Sequence, residues 1–429
     1  MIDRYKDKDI STVWNRLSTY QRWHRVEVAW LKAMNDRSIR ITFPECMDVW
    51  ENLSISIPAI EAREAIVHHD VSAFVDVMQA SFYDNSRAKG VDDQPCINHA
   101  NSYHFALTSS DVVDTATSLA FQESFQHVRN GIHTLRMALS TFGFIKRSDR
   151  FCISEPFVIA RTHGEVAGVI DVSQKTSRYI EQLNMTFHRT NQLDFFGKFT
   201  GPLGLSTGFE DQYDVHRNAS IRLGLTPVQS STQVIPRSVF SGYMFELALL
   251  GRTLAAIAID LRLMISQKEI TLKKSDDIKG SSSMPHKVNP VELEKVCGMA
   301  RLLSGYLSSS LENVEIWGER DMSHSSVDRL TFEDAFHLVM HMMLCIEKTI
   351  EKCEVNSERV REVYGDHSRD IVSYEVIHWI LTKSKGVTRD TIYTAVKHWA
   401  ATGDSQNIRV ILDSEDLYEE FATKYQGEL

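Results

Sequence analysis

Proline is scarce. The 429 residues hold only nine, with none between Pro95 and Pro156, Pro156 and Pro202, or Pro236 and Pro285, and none after Pro290. Proline breaks helix interiors, so these gaps leave room for long helices. Cysteine is sparse too, and no C-x-x-C pair occurs. Cys46, Cys96, Cys152, Cys297, Cys345 and Cys353 are scattered, which argues against a disulfide framework or zinc site and for reduced thiols in a cytoplasmic compartment. There is no basic excess: 47 Lys+Arg stand against 57 Asp+Glu, a formal charge of −10. That balance disfavours non-specific nucleic-acid binding but leaves small anions open, since a few clustered cations suffice for them. The N-terminal stretch "MIDRYKDKDISTVW" lacks an apolar signal-peptide core. The longest apolar segment, "GYMFELALLGRTLAAIAIDLRLMIS", carries Glu246, Arg252, Asp260 and Arg262, too many charges for a membrane span. These absences together predict a soluble chain with neither nucleic acid nor membrane as partner.

What is present is helical periodicity. Tyr243, Leu247, Leu250, Leu254, Ile257, Leu261 and Met264 alternate spacings of four and three. Ala248, Gly251, Ala255 and Ala258 form a small-residue face beside them, where another helix can approach closely. A helix apolar on more than one side belongs inside a bundle. Strand signals are weak: "FVIA" at 157–160 has strand-like composition, but no series of alternating strands with turn pairs follows. The reading is all-α, in three helical domains: 1–110, a long-helix bundle over 111–365, and 366–429.

Polar islands interrupt the helices. In "IVHHDVSAF", Asp70 beside His68 and His69 can fix an imidazole tautomer, though the run also reads as a surface turn. In "HFALTSSDVVDTA", the hydroxyls of Thr108, Ser109 and Ser110 precede a helix expected from Val112; they can cap it, or help its free N–H groups hold an anion. "ARTHGEVAG" sets His163 on a loop before Gly164, where it is either an acid–base group or merely exposed. "GERDMSHSSVDR" combines Arg320, Ser325 and Arg329, a set suited to phosphate or carboxylate and also to a capped helix start with solvated charges.

The fifth island, "GSSSMPHKVNP" at 280–290, joins a small-residue strap to a helix start. Asn289 reads as N-cap and Pro290 as first helical residue. Lys287 and the helix tip make a local positive site. A serine base there needs more than the helix end, which contributes roughly 0.3–2 kcal/mol against about 1.4 kcal/mol for each pKa unit. A nearby cation, oriented donors and loop closure must supply the rest.

This last island closely resembles the signature loop of the fumarase/aspartase superfamily, G-S-S-x-M-P-x-K-x-N-P. "MIDRY", "HHDVSAF", "LTSSDVVDTA", "RTHG", "STQVIPR" and "ENVEIWGERDMSHSSVDR" resemble the adenylosuccinate lyase family in the same order. The resemblance implies an all-α homotetramer with active sites shared between subunits. It implies elimination of fumarate from adenylosuccinate and from the succinyl-carboxamide intermediate of purine synthesis, with no metal or organic cofactor. Under it Ser281 would be the base and His163 the acid. Lys287 and Asn289 would bind succinyl carboxylates. Arg4, Tyr5, Arg320, Ser325 and Arg329 would hold the nucleotide, and His68, His69, Asp70, Thr108, Ser109 and Gln233 would complete the pocket.

Departures from the family pattern bear on that pocket. His68 replaces an Arg, Ala160 a Gly, Val169 a Pro, Ser238-Val239-Phe240 the last three residues of R-D-R-H, and Gly318 the His of W-H-E-R-D. None removes a proposed catalytic group, but they leave another succinyl-type substrate open (argininosuccinate, aspartate or a modified succinyl-purine nucleotide). A catalytically silent assembly protein on the same scaffold is a separate reading, against which the intact Ser281, Lys287, Asn289 and His163 speak.

Overall fold

Helix dominates because the long proline-free tracts contain nothing to interrupt it. The computed structural model describes residues 1–39, 44–88, 99–144, 157–273 and 288–426. A 3-10 turn at Asp3–Tyr5 leads into α1 (Lys8–Trp14), α2 (Arg16–Asp36), α3 (Pro44–Glu51), α4 (Ile57–Val67) and α5 (Asp70–Ala88). The first long helix is α6 (Ser109–Phe144), followed by strands β1 (Phe157–Thr162) and β2 (Glu165–Asp171) and by α7 (Val172–Asn191). Next come β3 (Phe196–Gly197), α8 (Gln212–Arg222), β4 (Thr226–Pro227), α9 (Arg237–Ser266) and β5 (Ile270–Leu272). Two further long helices, α10 (Val291–Glu312) and α11 (Ser323–Ile350), precede β6 (Cys353–Val355). The tail is helical: α12 (Ser357–Asp366), α13 (Ser368–Lys383), α14 (Arg389–Thr402), α15 (Gln406–Leu412) and α16 (Glu415–Tyr425). Among the described residues no helix is long and apolar enough to cross a membrane.

The chain divides into two compact units. The first comprises Met1–Leu135, Gln182–Ala256 and Glu294–Ile346; the second comprises Arg136–Glu181, Ile257–Leu293 and Glu347–Leu429. The predicted apolar stripe on α9 is real: Tyr243, Leu247, Leu250, Leu254, Ile257, Leu261 and Met264 are all buried. Each such side chain contributes about 1.5–3 kcal/mol by leaving water. The small-residue face also behaves as expected. A Cβ at Gly251 would sit 2.5 Å from Leu303 Cδ1, so glycine lets α10 pack here without displacing that side chain. Within the first unit the bundle interior is aromatic. Phe121 of α6, Phe240 of α9, and Phe332 and Phe336 of α11 meet with centroids 4.9–5.7 Å apart.

The second unit contains a hairpin where no paired strands were expected. β1 and β2 pair antiparallel from Phe157↔Asp171 to Thr162↔Glu165, with a bulge between Ala160 and Arg161. The tight connection is His163-Gly164, both at positive φ (56° and 89°). That backbone suits the right-handed twist of a two-residue hairpin. The usual Asn-Gly or Asp-Gly signal is missing, but histidine tolerates the left-handed region better than most residues. Arg161 on this hairpin pairs with Glu269, and Asn356 N donates to Glu269 O at 2.8 Å, next to the β5–β6 ladder. The tail helices of this unit share a separate core of Val376, Ile380, Ile392, Val396, Trp399, Ile408, Leu412 and Phe421.

Candidate active site

The site begins with two helix ends. His68 closes α4 in the left-handed region (φ 55°), and this sharp reversal lets His69 cap α5. The Ser72 N–H donates to His69 Nδ1 at 3.3 Å, so the ring proton sits on Nε2, which faces Ser109 Oγ at 3.4 Å. A backbone amide therefore sets the tautomer, not Asp70, whose carboxylate stands 3.6 Å from Nδ1. Asp70 instead accepts from its neighbour Val71 N (2.8 Å) and from Arg329 Nη2 (2.9 Å). The helix carrying Ser109 starts at that residue, earlier than Val112. Thr108 caps it: the Asp111 carboxylate accepts from Thr108 N at 2.7 Å, the reaching-back half of a capping box.

His68, His69, Asp70, Ser109, Arg320, Ser325 and Arg329 line one cavity of about 580 Å³ in the first unit. A second cavity of about 340 Å³ shares Glu64, Asp70, Asp114, His324, Ser325 and Arg329 with it, and continues between Trp14, Tyr20, Trp23 and Phe332. Arg320 is anchored by Gln233, whose Oε1 accepts from Nη1 at 2.7 Å, while its buried Nε has no partner among the described residues. Asp321, at the start of α11, is held down at about 2 by the Ser323 hydroxyl and by the backbone N–H groups of Trp317 and Ser323. It thus stays an anion that fixes the turn carrying Arg320. Gly318 holds that turn at φ 56°.

Sequence reasoning missed the floor of this site. Arg237, buried at the start of α9, donates to Asp114 Oδ2 (2.6 Å) and to Asp328 Oδ2 (3.1 Å). Asp114 also accepts from Ile235 N (2.8 Å), Asn313 Nδ2 donates to Asp328 Oδ1 (3.0 Å), and His324 Nδ1 lies 3.2 Å from Asp328 Oδ2. The i, i+4 spacing of His324 and Asp328 inside "SHSSVDR" was the available signal. Asp114 and Arg237 lie within "LTSSDVVDTA" and "STQVIPR", but nothing local pointed to their pairing across 123 positions. The substituted Phe240 packs over this floor, with the Arg237 guanidinium 4.5 Å from its ring centroid.

The remaining candidates lie elsewhere. Tyr5 packs edge-on against His341 and does not line either cavity, nor does the exposed Arg4. His163 sits exposed at the hairpin tip of the second unit. Asn289, exposed, lies two residues before α10, which starts at Val291, one residue past the expected Pro290. Ser281 and Lys287 fall outside the described residues.

A lyase family model matches residues 52–305, more than half of the chain. The chain belongs to the fumarase/aspartase superfamily. As a member of it, this chain is an enzyme, a lyase of the carbon–nitrogen type. Its curated relatives include an adenylosuccinate lyase of Thermotoga maritima, 28% identical over 99% of this chain and 96% of that protein. Among solved structures, a fumarate lyase from Mesorhizobium sp. BNC1 superposes with a TM-score of 0.78 at 17% identity, covering 99% of this chain and 94% of that one. A beta-carboxy-cis,cis-muconate cycloisomerase from Acinetobacter calcoaceticus superposes with a TM-score of 0.73 at 16% identity, over 97% of this chain and 91% of that one. The same fold therefore carries differently named activities, and substrate choice has to be argued from the site.

Proposed function

We propose that the chain is an adenylosuccinate lyase, which eliminates fumarate from adenylosuccinate to give AMP and from SAICAR to give AICAR. One observation carries the reading: Arg320, Ser325 and Arg329 share a cavity with His68, His69, Asp70 and Ser109. Two guanidinium groups and a hydroxyl suit a phosphate, and the histidines, carboxylate and serine suit the polar remainder of a nucleotide. The likeness to adenylosuccinate lyases over almost the whole chain agrees with it.

In this reading Ser281 removes a proton from the succinyl carbon beside a carboxylate. Lys287 and Asn289 bind the succinyl carboxylates and stabilise the aci-carboxylate intermediate as its charge builds up. His163 then protonates the departing nitrogen. Arg4 and Tyr5 complete the nucleotide site from another subunit of a cytoplasmic homotetramer. An uncovered apolar face on α9 supports such an assembly: Phe245, Ile259 and Leu263 are 48%, 49% and 57% exposed.

An absorbance assay with purified protein tests the proposal. Cleavage of adenylosuccinate well above that of argininosuccinate is the expected result. Preference for argininosuccinate would move the enzyme to another substrate within the superfamily, and no fumarate from any succinyl compound would revive the silent assembly protein.

A further inference from the structure

His324 is 95% buried, lines both cavities, and has one ring nitrogen unaccounted for. Its Nδ1 lies 3.2 Å from Asp328 Oδ2 and 3.4 Å from Arg237 Nη1. Arg237 Nη1 donates to the same Asp328 oxygen at the shorter distance of 3.1 Å, and the carboxylate is the nearer partner of Nδ1. The ring proton therefore belongs on Nδ1, directed at the carboxylate. The opposite tautomer would set two lone pairs face to face across 3.2 Å. Nε2 is left as a bare acceptor, buried and without a partner among the described residues. An acceptor in that condition costs free energy until a donor arrives.

We propose that His324 Nε2 accepts a hydrogen bond from a sugar hydroxyl of the nucleotide, so that His324 distinguishes ribonucleotide from deoxyribonucleotide substrates. The inference rests on the nucleotide reading above. A fully ionised phosphate offers no donor to this lone pair; the phosphate goes to Ser325 and Arg329. His324 directly precedes Ser325 on α11. On a nucleotide, the donors nearest the phosphate are the sugar hydroxyls. Asp328, Arg237 and Asp114 act through His324 as positioning residues that hold its tautomer and ring angle.

The test compares kcat/KM for adenylosuccinate with its 2′-deoxy and 3′-deoxy forms, alongside inhibition by AMP and the two deoxy-AMPs. The wild-type enzyme should prefer the ribonucleotide over at least one deoxy form by roughly tenfold, because loss of the hydroxyl leaves a buried acceptor unpaired. His324→Asn, which keeps a group facing Asp328 but removes the one at Nε2, should bring the preference below about twofold. His324→Gln, which reaches the Nε2 position, should retain more of it. A merely structural role would not separate the two variants. Equal treatment of all three nucleotides by the wild type, or an undiminished preference in His324→Asn, would overturn the proposal. Should the variants not fold, equal inhibition of the wild type by AMP and both deoxy-AMPs overturns it alone. Absence of any cleavage or AMP inhibition is a distinct result: it defeats the nucleotide reading, and this inference with it.

Discussion

Two carboxylate–cation pairs in the first unit differ in every respect that matters. Lys198 Nζ and Asp111 Oδ1 lie 2.5 Å apart with both side chains fully buried. Asp111 also accepts from the backbone N–H groups of Thr108, Thr200 and Gly201, and Lys198 donates to Gly201 O. Burial pushes the Asp111 carboxyl up; the Lys198 ammonium and the Thr108 and Thr200 N–H groups offset this only in part, so it stays raised. Arg329 and Asp70 are 2.9 Å apart at the cavity rim, with 67% and 27% of their side chains exposed. The first pair has nothing left to offer a ligand and ties loop to helix. The second can be opened by an arriving anion at little cost. A closed network of buried charge points to folding, and an open one beside a cavity points to binding.

Removing one partner of the sealed pair should have the largest effect. Asp111→Ala is expected to cost about 3–5 kcal/mol, because Lys198 is left charged and buried, as read by urea denaturation. A loss under 1 kcal/mol would erase the contrast. Next in size, Ser281→Ala or His163→Ala should lower turnover at least about a hundredfold while the melting temperature and the oligomeric state of the wild type are retained. Near-normal turnover in either variant would refute the chemical assignment. Arg329→Ala should raise KM roughly tenfold through a lost charge-assisted bond, with a stability change below about 0.5 kcal/mol. A large drop in stability would move Arg329 into the sealed class.

The smallest effect concerns Glu347 near the end of α11, whose carboxyl is raised from 4.5 to about 7 by burial and then by the charge of Glu351 one turn on. A raised carboxyl binds its proton more tightly folded than unfolded, so stability is greatest below pH 4.5 for this group and falls between about 4.5 and 7. Glu347→Gln should flatten that decline. Because the group keeps part of its hydration, the gain at pH 8 should be about 1 kcal/mol or less, measurable as a melting temperature against pH.

The long helices could be read in advance because their rule is local. The seven-residue stripe on α9 and its neighbouring small-residue face follow from 3.6-residue periodicity, and both are buried as that rule requires. The β1–β2 hairpin escaped because His163-Gly164 uses an uncommon residue for a left-handed turn. The residues that line the cavity rim were singled out as clustered polar residues and through their resemblance to known motifs. The floor was not: Asp114 and Arg237 lie inside "LTSSDVVDTA" and "STQVIPR", but nothing in either stretch signals that the two pair with each other.

By itself the amino-acid order determined helix content, the buried faces, the small-residue crossing at Gly251, and the residue types able to bind a phosphate. Only the tertiary structure decided which of them meet. It turned Asp70 from His69 toward Arg329, and it joined Asp114, Arg237 and Asp328 beneath His324 across 91 to 123 positions of chain. Periodicity and capping act within a few residues, whereas the pairing of buried charges is chosen by whichever helices the core brings together.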